Sequence, residues 1–203
     1  MDTRAKIVEA AARVLREQGF ARATTKEIAR AAGYSEAALY KHFRDKTEIF
    51  TTVLAEQSPG LLTTLVELVD NPTGATLRAN LTRVAVAAME FYADTFPMAA
   101  SVFSSRELLD AHRTRLGELG RDPSHVIDVL ARYLSTEQRL GRLRAGDEPR
   151  AIASLLLGAC FQQGFLIAFG GTTPRRAELE TLAGTLVAPL VIAPARASRA
   201  SGR

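Results

Sequence analysis

The chain is poor in the residues that cross-link, ligate or catalyse. Of its 203 residues one is a cysteine, Cys160, and none is tryptophan. A single cysteine excludes a disulfide framework and any cysteine-based metal site. His112 and His125 stand 13 apart with no third ligand in view, so no metal is expected. Neither G-x-x-x-x-G-K-[ST] nor G-x-G-x-x-G occurs, and neither H-E-x-x-H nor G-x-S-x-G. With no such constellation there is no catalytic mechanism to assign, and the chain is expected to be neither an enzyme nor a cofactor carrier. No segment alternates with period two, which argues against a sheet. No basic-then-apolar leader opens the chain, so a cytoplasmic protein is expected.

What is present is ordinary globular composition, 47% hydrophobic and 24% charged, at a length that can bury a core. The net charge of +4 is mild. Its distribution is less even. All four lysines, Lys6, Lys26, Lys41 and Lys46, fall in the first 50 residues, where 10 basic side chains face 7 acidic ones. That excess points to a polyanion partner at the N-terminal end.

Helical periodicity organises the rest. The pattern predicts helices over 2–18, 25–32, 36–43, 47–69 with a possible break at Pro59-Gly60, 74–94, 97–110, 123–141, 148–170 and 174–191. Proline is taken to open several of them, with Asn71, Asp122 and Thr173 as caps. The fold class is therefore all-α, about nine helices. Helix 174–191 has one apolar stripe, including Leu182, Leu186 and Leu190. Helix 148–170 is apolar nearly all round, yet Gln162 and Gln163 interrupt it. A helix buried in its own domain and against another subunit suits it better than a membrane span.

The informative stretch is Thr24 to Phe43. Thr24 and Glu27 have capping-box spacing. Ile28, Ala29 and Ala32 give the next helix an inner face, Gly33 ends it in left-handed geometry, and Ser35 caps a second helix. On that second helix Leu39 and Phe43 share one face and Ala37, Ala38 and Lys41 the opposite one. This is the helix-turn-helix pattern, whose second helix enters the DNA major groove. Ala37 and Ala38 allow close approach to base edges, and Lys41 reaches a guanine or a phosphate. Tyr40 and His42 flank the groove walls, and Glu36 can accept from a cytosine amino group. Lys46 can hold the backbone from the next helix.

The run from Phe20 through Thr24-Thr25-Lys26-Glu27-Ile28-Ala29 to Leu39-Tyr40-Lys41-His42-Phe43 and Lys46 resembles the TetR (tetracycline-repressor-like) family of bacterial transcription regulators. The likeness covers residues 2 to about 60. It implies a three-helix DNA-binding head, a larger helical ligand-binding body, and a homodimer made mainly by the last two long helices. It also implies DNA contacts at Thr25, Lys26, Ser35, Glu36, Ala37, Ala38, Tyr40, Lys41, His42 and Lys46. Glu36 stands where a lysine or glutamine is common, and Ala38 where threonine or serine is common.

The expected division is a head over 1–60, a body over 61–193 and a disordered basic tail over 194–203. Double-stranded operator DNA, a second copy of the chain and a small apolar or aromatic effector that releases this repressor from its operator are the expected partners, and no membrane. Phe91, Tyr92, Phe103, Phe161, Gln162 and Phe165, with Phe96 and Met98, are the candidate cavity walls. Leu182, Leu186 and Leu190 are the candidate dimer contacts. Cys160 in its apolar run is expected to be an inert core residue.

Overall fold

A computed structural model describes residues 2–56, 59–72 and 74–191, with Pro59 described by its backbone alone. The expected tail over 194–203 lies outside the described residues. Ten helices run in order and, among the described residues, no strand accompanies them: α1 Thr3–Arg22, α2 Thr25–Ala32, α3 Glu36–Leu39, α4 Lys46–Glu56, α5 Pro59–Asp70, α6 Leu77–Val102, α7 Arg106–Glu118, α8 His125–Arg139, α9 Pro149–Gly170 and α10 Arg176–Val187.

Two apolar cores hold these helices. In the first, Ile7, Leu15, Ile28, Leu39, Phe43 and Phe50 bring α1 to α4 together. Met98 and Val102 from the end of α6, and Leu108 from α7, complete it. In the second, Leu65 of α5, Leu81 and Met89 of α6, Leu134 of α8, Leu156 of α9 and Ala183 of α10 meet. Helix α6 thus belongs to both cores and ties the N-terminal head to the body. Cys160 lies in the second core, where burial pushes its thiol up to about 12 and keeps it protonated.

Three expected boundaries are corrected. Pro97 does not start a helix; α6 runs straight through it to Val102. The stretch expected as 97–110 is instead the end of α6, a turn, and α7, which Ser105 caps by accepting from the Leu108 N–H. Asn71 and Thr173 are not caps either. Thr76 caps α6 by accepting from the Ala79 N–H, and Arg175 precedes α10 with Glu178 folded back onto its N–H. The optional break at Pro59 is real, and α4 and α5 are separate helices.

Helix α9 is long and apolar enough, by composition alone, to cross a membrane. Its inner side nevertheless packs into the body through Ile152, Ala153, Leu156, Leu157, Cys160 and Gly164. At Gly164 the approach to α6 is closest. A Cβ there would meet the Tyr92 Cβ at 2.5 Å and the Ala93 nitrogen at 3.0 Å. Neither atom can swing aside, so a methyl group must push the two helices apart. Alanine is ordinarily worth about 1 kcal/mol more than glycine inside a helix. Gly164→Ala is expected to reverse that sign and lose about 1–3 kcal/mol through overpacking. Thermal denaturation checks it; an unchanged or raised Tm would show that α6 and α9 do not approach so closely.

Candidate nucleic-acid interface and effector cavity

The head's local structure follows the sequence closely. Thr24 Oγ1 accepts from the Glu27 N–H at 3.2 Å while Glu27 Oε2 accepts from the Thr24 N–H at 3.1 Å, a complete capping box. Gly33 closes α2 in the left-handed region, with φ of 79°. Ser35 Oγ accepts from the Ala38 N–H at 3.2 Å, which leaves its own O–H free. Helix α3 itself is only Glu36–Leu39, shorter than the expected 36–43. Turns continue it, with the His42 and Phe43 N–H groups both donating to the Leu39 carbonyl at 3.0 and 3.1 Å.

Leu39 and Phe43 are fully buried under this segment. Ser35, Ala37, Lys41 and His42 are exposed, as is Lys26 on α2, and Tyr40 is 50% exposed. Ala38 is half-buried. The segment therefore presents a small, smooth centre with polar and cationic groups around it.

Three of the expected contact residues are already engaged with one another. Thr25 Oγ1 donates to Glu36 Oε1 at 2.5 Å, and the Tyr40 hydroxyl lies 3.3 Å from the same Oγ1. Because Thr25 gives its only proton to Glu36, Tyr40 is the donor of that second contact. Lys46 is engaged too. Its Nζ donates to the Phe20 and Ala23 carbonyls at 2.8 and 3.1 Å and sits 4.3 Å from the Phe20 ring centroid. It closes the end of α1, where a cation suits the carbonyl end, and one of its three N–H groups is left over.

The aromatic row does not form the expected cavity. Phe161, Gln162 and Phe165 all face outward on α9, Phe165 at 38% exposure and Phe169 beyond it at 82%. Phe96 stacks on this outer row, its ring centroid 5.1 Å from that of Phe165. Leu155 and Leu166 extend the same exposed face. The reason is that α9 is apolar on every side, so the pattern could not tell inner aromatics from outer ones. Met98 lies in the head core and is no cavity wall.

The cavity lies instead between α4, α6, α7 and the turn after α7. One lobe, of about 480 Å³, is walled by Phe91, Thr95, Ala99, Val102 and Leu109, with Phe103 at 78% exposure on its rim. A second lobe, of about 220 Å³, reaches Leu61, Leu62, Tyr92 and Val126. Both share Leu54, Phe91, His112, Leu116, Arg121, Asp122 and Pro123. Phe91, Tyr92 and Phe103 thus line this cavity, and Phe161, Gln162 and Phe165 lie outside it. Burial pushes His112 below the ordinary imidazole range, so the ring is neutral.

Next to the cavity the head and body share one carboxylate. Glu56, at the end of α4, accepts from Arg4 of α1 at 2.8 and 2.9 Å and from Arg115 of α7 at 2.8 Å. The two guanidinium groups hold the Glu56 carboxyl below its ordinary range. Arg4 also lies over the Phe43 ring, 5.5 Å from its centroid. Sequence reasoning did not single out Glu56, Arg115 or Arg121. Partners 52 and 59 residues apart leave no local signal.

An exposed helix-turn-helix on a larger helical body defines a DNA-binding regulator. Comparison with known proteins agrees. The family described as bacterial regulatory proteins, tetR family, matches residues 7–53. The HTH-type transcriptional regulator TtgR of Pseudomonas putida is 43% identical over 53 residues, 26% of this chain and 25% of that protein, so this match spans about a quarter of the relative's length. An uncharacterized HTH-type transcriptional regulator of Mycobacterium bovis, Mb2274c, is 31% identical over 157 residues, 77% of each chain. A crystal structure from Mesorhizobium loti, assigned to the TetR family, superposes with a TM-score of 0.74 at 22% identity, covering 93% of this chain and 94% of that one. The chain belongs to the tetR family of bacterial regulatory proteins.

Proposed function

We propose that this regulator is a cytoplasmic repressor, a homodimer that holds a pseudo-palindromic operator through two copies of residues 35–43 and leaves it when a small apolar molecule enters the body. The head (1–60) reads DNA and the body (61–193) binds effector and partner. The observation that carries the reading is the face of α3. Leu39 and Phe43 are sunk in the core while Ala37, Tyr40, Lys41 and His42 stand clear of it. Among the described residues, the Lys41 and His42 side chains make no hydrogen bond or ion pair within the fold. The cavity beside α4 supplies a place for the effector, and the Glu56 carboxylate offers a route by which α7 can bias the head. DNA fixes the two reading segments about 34–36 Å apart, so a small shift of each head is enough to spoil the fit.

Operator selection from random duplexes, followed by titration at several salt concentrations, tests this. A palindromic sequence with two equal half-sites is expected. Lys41→Ala should weaken binding to it and flatten the salt dependence by about one unit of slope if Lys41 meets a phosphate. Glu36→Ala should alter the base preferred at one position of each half-site, since Glu36 Oε2 is free to accept. Enrichment of no sequence over the random pool would remove the operator reading and leave a non-specific DNA binder.

A further inference from the structure

We propose that the cavity takes an elongated, uncharged molecule, apolar at both ends and carrying an acceptor oxygen near its middle that the His112 ring receives. This rests on the effector reading above and adds the chemical class.

Shape comes first. The two lobes are apolar at their far ends, with Ala99, Val102 and Leu109 in one and Leu61, Leu62 and Val126 in the other. Their common wall holds the polar side chains His112, Arg121 and Asp122. A molecule spanning both lobes therefore passes these polar side chains at its waist, beside the apolar Leu54, Phe91 and Leu116, and meets apolar groups at its ends.

Charge comes second. Arg121 and Asp122 are neighbours of opposite sign in that wall. Hydrogen bonding from Ser124, first by its side chain and then by its N–H at 2.6 Å, holds the Asp122 carboxyl below the ordinary range. Arg121 donates to the Ala55 carbonyl at 3.4 Å. Arg113, which lines the first lobe alone, is on Asp110 at 3.1 Å. The waist thus carries no net charge to repay an ionic ligand for its lost hydration.

Hydrogen bonding comes third. Thr95 Oγ1 already donates to the Phe91 carbonyl at 2.7 Å and has no proton to offer. His112 Nδ1 is buried and has no partner. A buried orphan costs less as a lone pair than as an N–H, so the proton of the neutral ring belongs on Nε2. With His112 in the wall of both lobes and Nδ1 buried, the Nε2–H is the polar group the ring has left to offer, and its complement is a carbonyl, ether or ester oxygen.

Three fluorescent probes of similar size separate the terms, titrated into the whole protein. Prodan is an uncharged naphthyl ketone with apolar groups on both sides of its oxygen. N-phenylnaphthylamine is uncharged and has no oxygen. Anilinonaphthalene sulfonate is its anionic analogue. Prodan is expected to bind best and the sulfonate worst. His112→Phe should weaken prodan by about tenfold, the limit of one neutral hydrogen bond, and shift its emission to the blue. N-phenylnaphthylamine should be unaffected, and His112→Gln, which keeps a donor, should restore part of the prodan affinity. Leu116→Trp, which fills the waist, should abolish all three and so exclude binding on the outer face of α9. Tighter binding of the sulfonate, or equal loss of both neutral probes in His112→Phe, would overturn the proposal. No binding by any probe would remove the effector reading as well, while operator selection by the free protein would still stand or fall separately.

Discussion

A chain carrying Leu155→Glu and Phe165→Glu together is expected to be a folded monomer that no longer holds a two-half-site operator. Both side chains point away from the body on α9, Leu155 at 63% exposure and Phe165 at 38%. Leu155, Gly158, Gln162, Phe165 and Phe169 follow spacings of three and four, the seam spacing of paired helices, with Leu166 beside them. Gly158 lies on that seam, with open space where a Cβ would be. Exposed apolar surface of this extent marks a partner, and a two-fold seam makes each side chain count twice. Four carboxylates placed in a dry seam should therefore abolish pairing. Operator affinity should fall by at least about 100-fold, since one head would supply only half the contacts and each lost factor of ten needs about 1.4 kcal/mol. Light scattering and a gel shift on the selected operator check this. A dimer that survives the two substitutions would move the seam elsewhere.

The same experiment separates α9 from α10. Leu182, Leu186 and Leu190 were expected at the interface on the strength of their stripe. They are half-buried and pack on the body's own core beside Leu179, Ala183 and Val187. Leu186→Glu should therefore lower the melting temperature at every protein concentration, whereas the outward α9 pair should remove only the concentration-dependent stabilisation that pairing supplies.

How much was legible in the sequence follows from what each signal measures. The helix-turn-helix was legible because its parts are local. A cap reaches three residues, a left-handed glycine acts where it stands, and Leu39 and Phe43 lie one turn apart. Pro97 misled for the opposite reason. A proline inside a helix costs about 3 kcal/mol on local grounds, so the pattern favours a break. The chain accepts that cost because Met98 and Val102, just beyond it, are buried in the head core. Only tertiary packing reveals the offset. The inner and outer faces of α9 were illegible because an all-apolar helix has no moment to read.

The largest stability effect is expected at Arg142→Ala. Glu137, on α8, is completely buried, and both of its carboxylate oxygens accept from Arg142 at 2.6 Å. Arg142 reaches on to the Pro72 carbonyl at 3.0 Å. One turn before Glu137, the buried Tyr133 hydroxyl accepts from the Asn80 side chain at 2.9 Å. Loop, α6 and α8 are thus fastened around one carboxylate. Removing the guanidinium leaves that charge in the core without a partner, which costs about 3–5 kcal/mol. Arg142 is itself 31% exposed, so water can reach the gap, and about 3 kcal/mol is the better figure. For a chain of this size that is a fall in Tm of about 6–12 °C. Replacing both partners by leucine should recover most of the loss, because neither charge then remains to be desolvated. The network lies in the body, away from α1 to α4, so well below the new Tm the variant should still bind operator as the unaltered chain does. Calorimetry on Arg142→Leu, Glu137→Leu and the double variant gives the coupling directly. A loss under about 1 kcal/mol for Arg142→Ala, the range of a surface ion pair, would mean that Glu137 is solvated and that the body is not fastened there.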